Sequence, residues 1–312
     1  MSIRAMVFPG QGAQSVGMLA GFMENQVFAD TLAQASTVVG RDLRCLIQEG
    51  PESLLNQTAV TQPVLLACSV GVYRCWRQAG GAVPDVMAGH SLGEYSALVC
   101  SGALPFAEAV ALVAERGRLM QSAVPEGEGS MAAILGLGDA EVIAACAEVS
   151  QAESALGVVE AVNFNTVGQV VIAGARAAVE AAVVACKAKG ARRSVLLQVS
   201  VPAHSSLMQS IAEPFAQALK RVALTLPSVR VLHNVDASVA VDQNDLLHKL
   251  LAQLYSPVCW TRTMEVMQQA GVQQILECGP GKVLCGLAKR LDGVVAMPLE
   301  TPGLLDHALN TQ

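Results

Sequence analysis

The chain of 312 residues is poor in aromatic side chains, at 4%, and in charge, with Asp, Glu, Lys and Arg together at 15%. A soluble domain averages roughly a quarter charged residues, so a disordered, self-repelling polymer is excluded and much of the chain must be buried. The 52% hydrophobic fraction rests on Ala, Val and Leu, which predicts an aliphatic core of sheet and helix. No apolar run approaches the about eighteen residues that a membrane helix needs, and stretches such as Val64 to Cys68 are soon interrupted. The apolar Ala5-Met6-Val7-Phe8 stops at Pro9-Gly10, too short for a signal-peptide core. A cytosolic protein with no membrane partner is expected. Twenty basic against twenty-six acidic residues leave a net charge of -6, which argues against nucleic acid as a partner. No C-x-x-C pair, metal-ligand spacing, Walker loop or G-x-G-x-x-G occurs, so no cofactor is implied. The nine cysteines stand singly and read as small core residues in a reducing compartment.

What is there is a chain of one or two domains' length with β-loop-α passages. Ala5 to Phe8 is a buried-strand candidate running into Pro9-Gly10-Gln11-Gly12-Ala13-Gln14, where glycines let backbone amides face a ligand. A second passage runs from Val83 to Ala88 through Gly89-His90-Ser91-Leu92-Gly93 into a helix from Glu94 to Cys100. Such passages predict a parallel sheet covered by helices. Pro105 opens a further helix whose apolar stripe falls on Ala109, Leu112, Val113, Leu119 and Met120. Between Pro125 and Val201 the pattern changes to strand (130–137), helix (139–149, capped by Asp139), strands (158–164 and 169–173), helix (175–189) and strand (194–199). That order, βαββαβ, is the ferredoxin-like unit. The expected fold is therefore α/β: a hydrolase-like core with a parallel sheet flanked by helices, plus an inserted ferredoxin-like subdomain. Residues 1–124 and 200–312 would form the large discontinuous unit and 125–199 the small one, with a ligand cleft between them.

Gly89-His90-Ser91-Leu92-Gly93 is a G-x-S-x-G nucleophile elbow in its proper setting, a strand before and a helix after. Small residues must flank the serine in so sharp a turn, and the helix N-terminus offers an amide to an oxyanion. Ser91 is the candidate nucleophile, and it needs a base. Of the five histidines, His90 follows the elbow's backbone and points away, His248 lies in a polar helical stretch and His307 near the chain end. His204 follows a strand and precedes a helix, where loops of an α/β sheet gather ligands, and is preferred; His233, in Val231-Leu232-His233-Asn234, remains the other candidate. Arg116 sits on or beside the apolar stripe of its helix, while Arg118 falls on the other side. A buried arginine needs an acid: either an internal one such as Glu94, or a substrate carboxylate held by the guanidinium fork. Lys187, Lys189, Arg192 and Arg193 fall at a helix end and strand start, a place where cations suit the helix dipole and where an acidic protein could also dock.

Over nearly its whole length the sequence resembles the bacterial malonyl-CoA:acyl carrier protein transacylases. The resemblance rests on Phe8 to Gln14, Gly89 to Leu98, Glu115-Arg116-Gly117 with Met120-Gln121, Asn163-Phe164-Asn165 with Gly168 to Gly174, Val199 to His204, Gln253 to Val258, and Glu277 to Leu284. Ala13 and Ala203 stand where many members have serine. The resemblance implies Ser91 as the acylated nucleophile, His204 as its base, Arg116 as the clamp for the malonyl carboxylate, and the backbone amides of Gln11 and Leu92 as the oxyanion hole. It further implies that the histidine is oriented by the backbone carbonyl of Gln253, not by an aspartate. The implied partners are malonyl-CoA, as substrate, and acyl carrier protein, with docking near Lys189, Arg192 and Arg193; a monomer is expected. Three other readings share some of these residues: a transacylase serving a malonate decarboxylase system, a serine thioesterase or esterase, and an inactive acyl-chain binding module. The second would carry an acid between Ser and His in chain order and often an HGGG-type loop, neither of which is evident.

Overall fold

The computed structural model describes residues 3–152, 156–197, 199 and 201–311. Its larger sheet contains β1 (Ile3–Phe8), β2 (Val86–Gly89), β7 (Arg230–Leu232), β8 (Val272–Glu277) and β9 (Val295–Pro298) in the order β7-β2-β1-β8-β9. Every neighbouring pair is parallel, the arrangement expected of strands joined through helices.

Successive strand residues face opposite sides. Met6, Phe8, Met87, Val231 and Leu276 enter one apolar cluster with α1 (Gln26–Val39), α4 (Thr58–Gln78) and α6 (Phe106–Ser122). Ala5, Val7, Val86, Ala88 and Ile275 enter another with α11 (Trp260–Gln269) and α12 (Val283–Ala288). The sheet is thus covered on both faces, which explains strands that read as unbroken apolar runs. The helix after Pro105 begins at Phe106, with Pro105 extended at its N-cap.

The smaller sheet holds β3 (Gly129–Leu135), β4 (Val159–Thr166), β5 (Gln169–Ala175) and β6 (Arg193–Leu196), all antiparallel, in the order β4-β5-β3-β6. Helices α7 (Asp139–Ala152) and α8 (Arg176–Ala188) interleave with them. They share a separate cluster that includes Ile134, Val142, Ile172 and Val179. This is a βαββαβ order with the two inner strands drawn from the first and third positions. The expected boundaries shift by a few residues. Asp139 proves to be the first residue of α7, not its cap: the Gly138 carbonyl accepts from the Val142 N–H at 3.0 Å. Strand β6 ends at Leu196; Gln198, within the expected strand, and Ser200, at the expected domain joint, lie outside the described residues.

The small sheet is sewn to the large unit along β4. The Phe164 N–H donates to the Val258 carbonyl at 3.0 Å and the Val258 N–H to the Val162 carbonyl at 2.8 Å. Cysteine placement needs one correction: Cys45 is exposed, near Glu49 on α2 (Leu43–Glu49), whereas six others are buried. No described helix is long and apolar enough to cross a membrane.

Candidate active site

The C-terminal ends of β1, β2 and β7 deliver three loops to one place, as parallel sheets do. After β2 the chain reverses sharply through Ser91, which has a φ of 51°, a left-handed value uncommon for a residue with a side chain. Space explains the flanking glycines. A Cβ on Gly89 would lie 1.8 Å from the Gly93 carbonyl carbon, and one on Gly93 would lie 2.1 Å from the Phe8 carbonyl oxygen. Helix α5 (Gly93–Cys100) begins immediately after the turn.

His204 reaches this turn from the far part of the sequence. Its Nε2 lies 2.7 Å from Ser91 Oγ, and its Nδ1 lies 2.7 Å from the Gln253 backbone oxygen. A carbonyl can only accept, so Nδ1 carries the proton and Nε2 is left to accept from the serine. His204 also has a left-handed φ, 65°, and its own N–H donates to the Leu254 carbonyl at 3.1 Å. Burial, followed by the positive charge of Arg116, lowers its pKa to about 3, so the imidazole is neutral at physiological pH. The other candidate, His233, is fully buried, and its Nδ1 is directed to Glu94 Oε1 at 2.7 Å. His90 turns its Nε2 to Asn165 Oδ1 at 2.8 Å.

Arg116 is 1% exposed on α6, while Arg118 is exposed and paired with Glu115. The Arg116 guanidinium is held by neutral groups: Nη1 donates to Gln62 Oε1 at 2.9 Å and Nη2 to Gln253 Oε1 at 3.0 Å. Nη2 is 3.5 Å from Ser91 Oγ, so the fork borders the candidate nucleophile. The internal salt bridge to Glu94 that the sequence allowed does not form: the Glu94 carboxylate accepts instead from His233, the Asn234 N–H and Gln253. No ion pair of Arg116 occurs among the described residues, and its Nε has no hydrogen-bond partner.

Gln11, Ser91, Leu92, Arg116 and His204 line one cavity, whose other walls include Asn163 of β4. The backbone N–H groups of Gln11 and Leu92 donate to no acceptor among the described residues. The arrangement offers a nucleophile with a neutral base, two amides free for an oxyanion and a cation without a counter-charge. Lys189 and Arg193 lie away from the cavity on the small unit, with Lys189 Nζ on Glu148 Oε1 at 2.9 Å and Arg192 packed over Gly136.

Sequence reasoning missed Gln62, Asn234 and the side chain of Gln253. Asn234 braces the elbow: its Oδ1 accepts from the Ser91 N–H and its Nδ2 donates to the Gly89 carbonyl, both at 2.7 Å. The one available signal was its position two residues beyond a strand of the sheet.

A model of the acyl transferase domain matches residues 5–283. The malonyl CoA-acyl carrier protein transacylase of Escherichia coli K12 is 50% identical over 307 residues, covering 98% of each chain. Among solved structures, a malonyl-transacylase in complex with its type II PKS acyl-carrier protein superposes with a TM-score of 0.96 at 48% identity, over 100% of both chains. FabD from Acinetobacter baumannii gives 0.95 at 49% identity, over 99% of this chain and 98% of that one.

Proposed function

Because the chain belongs to the acyl transferase family, among the malonyl-CoA:acyl carrier protein transacylases, we propose that it moves malonyl groups from malonyl-CoA to the phosphopantetheine thiol of acyl carrier protein, supplying fatty acid synthesis. The observation that carries the site assignment is the line from Ser91 Oγ to His204 Nε2 and from His204 Nδ1 to the Gln253 carbonyl, with Arg116 in the same cavity.

In the first half-reaction His204 Nε2 takes the hydroxyl proton as Ser91 Oγ attacks the thioester carbonyl. The Gln11 and Leu92 amides hold the oxyanion. Collapse breaks the carbon–sulfur bond, the departing thiolate of coenzyme A takes the proton from His204, and malonyl remains on Ser91. In the second half the carrier's thiol gives its proton to His204 and attacks the ester, and Ser91 leaves with that proton. Arg116 pairs with the malonyl carboxylate throughout. Donor and product are both thioesters, so the overall transfer is reversible, and because malonyl rests on Ser91 between the two halves the kinetics are ping-pong.

None of these steps calls on a cofactor. The reading places the enzyme in the cytosol, supported by nine cysteines without disulfides. It divides the chain into residues 1–124 with 200–312, which supply all six site residues, and residues 125–199; support comes from the separate apolar cluster of the small sheet.

The test is mass spectrometry of the intact protein after malonyl-CoA alone, then after carrier protein is added. One malonyl group should appear on Ser91, be absent in Ser91→Ala, and pass to the carrier. Malonyl on a cysteine, or steady coenzyme A release without carrier, would reject the reading in favour of another nucleophile or a hydrolase.

A further inference from the structure

Glu94, in the first turn of α5, is completely buried directly behind the elbow. Three N–H donors converge on its carboxylate: His233 Nδ1 on Oε1 at 2.7 Å, and the Asn234 backbone and Gln253 Nε2 on Oε2 at 2.9 and 2.8 Å. The reaction outlined above uses none of these contacts. Their consequence lies in Gln253, whose side-chain amide has two unlike ends. A carboxylate can only accept, so Gln253 must present its NH₂ to Glu94, which sends its Oε1 the other way, to Arg116 Nη2 at 3.0 Å. The same NH₂ donates to the Ser91 carbonyl at 3.0 Å. With the amide reversed, oxygen would face carboxylate and NH₂ would face guanidinium, two like contacts in a dry site, and the fork would lose an acceptor.

We propose that Glu94 is a positioning residue for malonyl selectivity: by fixing the orientation of the Gln253 amide, it holds the Arg116 fork beside Ser91 in the pose that receives a carboxylate. The proposal rests on the malonyl-transfer reading and goes beyond it, because it places the origin of clamp geometry in a carboxylate that touches neither substrate nor base. A neutral glutamine at position 94 can donate as well as accept, so it no longer opposes the reversed amide, and only the Ser91 carbonyl and Arg116 itself are left to orient Gln253. The fork is then held less firmly in its pose, and only a substrate with a carboxylate suffers directly.

The experiment measures kcat/KM for enzyme acylation by malonyl-CoA and by acetyl-CoA in the wild type, Glu94→Gln and Gln253→Met. Gln253→Met keeps the backbone carbonyl that faces His204 and removes the side-chain amide. The malonyl-to-acetyl ratio should fall on the order of tenfold in each variant, the size of one charge-assisted hydrogen bond, through KM for malonyl-CoA. A variant that folds only in part slows both substrates alike, so its loss cancels in the ratio. In an Arg116→Ala background, Glu94→Gln should leave the ratio unchanged. An unchanged ratio in Gln253→Met overturns the proposal even if Glu94→Gln cannot be obtained folded, as does an equal fall for both substrates. If the wild type is not acylated by malonyl-CoA at all, the malonyl-transfer reading has failed; if it is, and the variants keep its preference, only the role of Glu94 has.

Discussion

As the proposed base, His204 must be neutral to take a proton, and its surroundings keep it so, with burial the larger cause and the Arg116 charge the next, together bringing the imidazole to about 3. The acid limb of kcat/KM for acylation should therefore lie well below pH 6.5, the ordinary histidine range. Arg116→Ala removes one cause of the depression, so the limb, followed with acetyl-CoA, should move upward; a limb that stays put would show that Arg116 exerts no field on the base. Stability carries the same sign. Between pH 6.5 and about 3 the unfolded chain binds a proton at this position that the native protein does not, so the native state loses stability as pH falls through that window. His204→Gln should lose less of its urea midpoint between pH 7 and 5 than the wild type does. The same variant should lower transfer on the order of 10²–10⁴-fold, the usual worth of a general base; if His233→Gln is the inactive variant instead, the base has been misassigned. On the proposed reading, selectivity belongs to Arg116. Malonyl and acetyl thioesters differ by one carboxylate, and leaving a buried charge without its partner costs about 3–5 kcal/mol, two or more powers of ten in rate. Arg116→Ala should lose most malonyl transfer while acetyl transfer persists. Arg116→Lys should recover a part only, because a point charge does not replace a fork. Equal falls for both substrates would make Arg116 a structural residue.

Elements decide whether these side chains meet, and some elements were far more legible than others. The elbow could be read because two glycines bracket a serine between an apolar strand and a helix, and those glycines prove to be demanded by backbone contacts at Gly93 and Phe8. Arg116 could be read because α6 is exposed on one side, so an arginine in the apolar stripe stands out. Helix α4 could not. It is buried almost all round and carries Pro63 in its interior, so it shows neither a polar face nor an unbroken run. With α4 unread, Gln62 had no place in the site. Choosing His204 over His233 on residues alone was likewise open, because no local pattern pairs either with Ser91 and only the crossing of distant loops brings His204 to it. The contact of α4 with α6 has its own consequence. A Cβ on Gly117 would lie 2.7 Å from both Ala59 Cα and the Thr58 carbonyl oxygen, backbone atoms that cannot turn aside. Gly117→Ala should therefore push α6 from α4, lowering stability by about 1–3 kcal/mol as overpacking does. It should also raise KM for malonyl-CoA, since Arg116 and Gln62 lie on the two helices being separated. A thermal melt paired with acylation kinetics checks both; a lower melting temperature with unchanged KM would show that the fork is independent of this crossing.

At the scale of the whole molecule the cavity lies between a parallel sheet that supplies the chemistry and an antiparallel unit that walls it with Met131, Asn163 and Leu197. The carrier protein must bring its thiol to Ser91 from outside, and the surface proposed to receive it is the group of cations on the small unit, Lys189, Arg192 and Arg193. Arg193 opens β6, and Leu197, four residues on, lines the cavity, so the two backbone positions are roughly 13 Å apart at about 3.3 Å per extended residue. Since the chain as a whole is acidic, at -6, a local cluster of cations gives an acidic partner a direction of approach that net charge would deny it. Not all of the cluster is equally free. Lys189 is already paired with Glu148 and Arg192 lies folded over Gly136, whereas Arg193 is exposed and enters no salt bridge among the described residues. Replacing Lys189, Arg192 and Arg193 together by alanine should slow transfer from malonyl-Ser91 to carrier protein while acylation by malonyl-CoA proceeds at its normal rate, and Arg193→Ala alone should account for most of the change. Because exposed surface charges act on encounter, the loss should appear in the apparent KM for carrier and shrink as salt shortens the Debye length from about 10 Å at 0.1 M. Single-turnover measurement of each half-reaction separates the outcomes. Equal slowing of both halves would mean that the substitutions disturb the fold, and no slowing of either would move the docking surface elsewhere on the molecule.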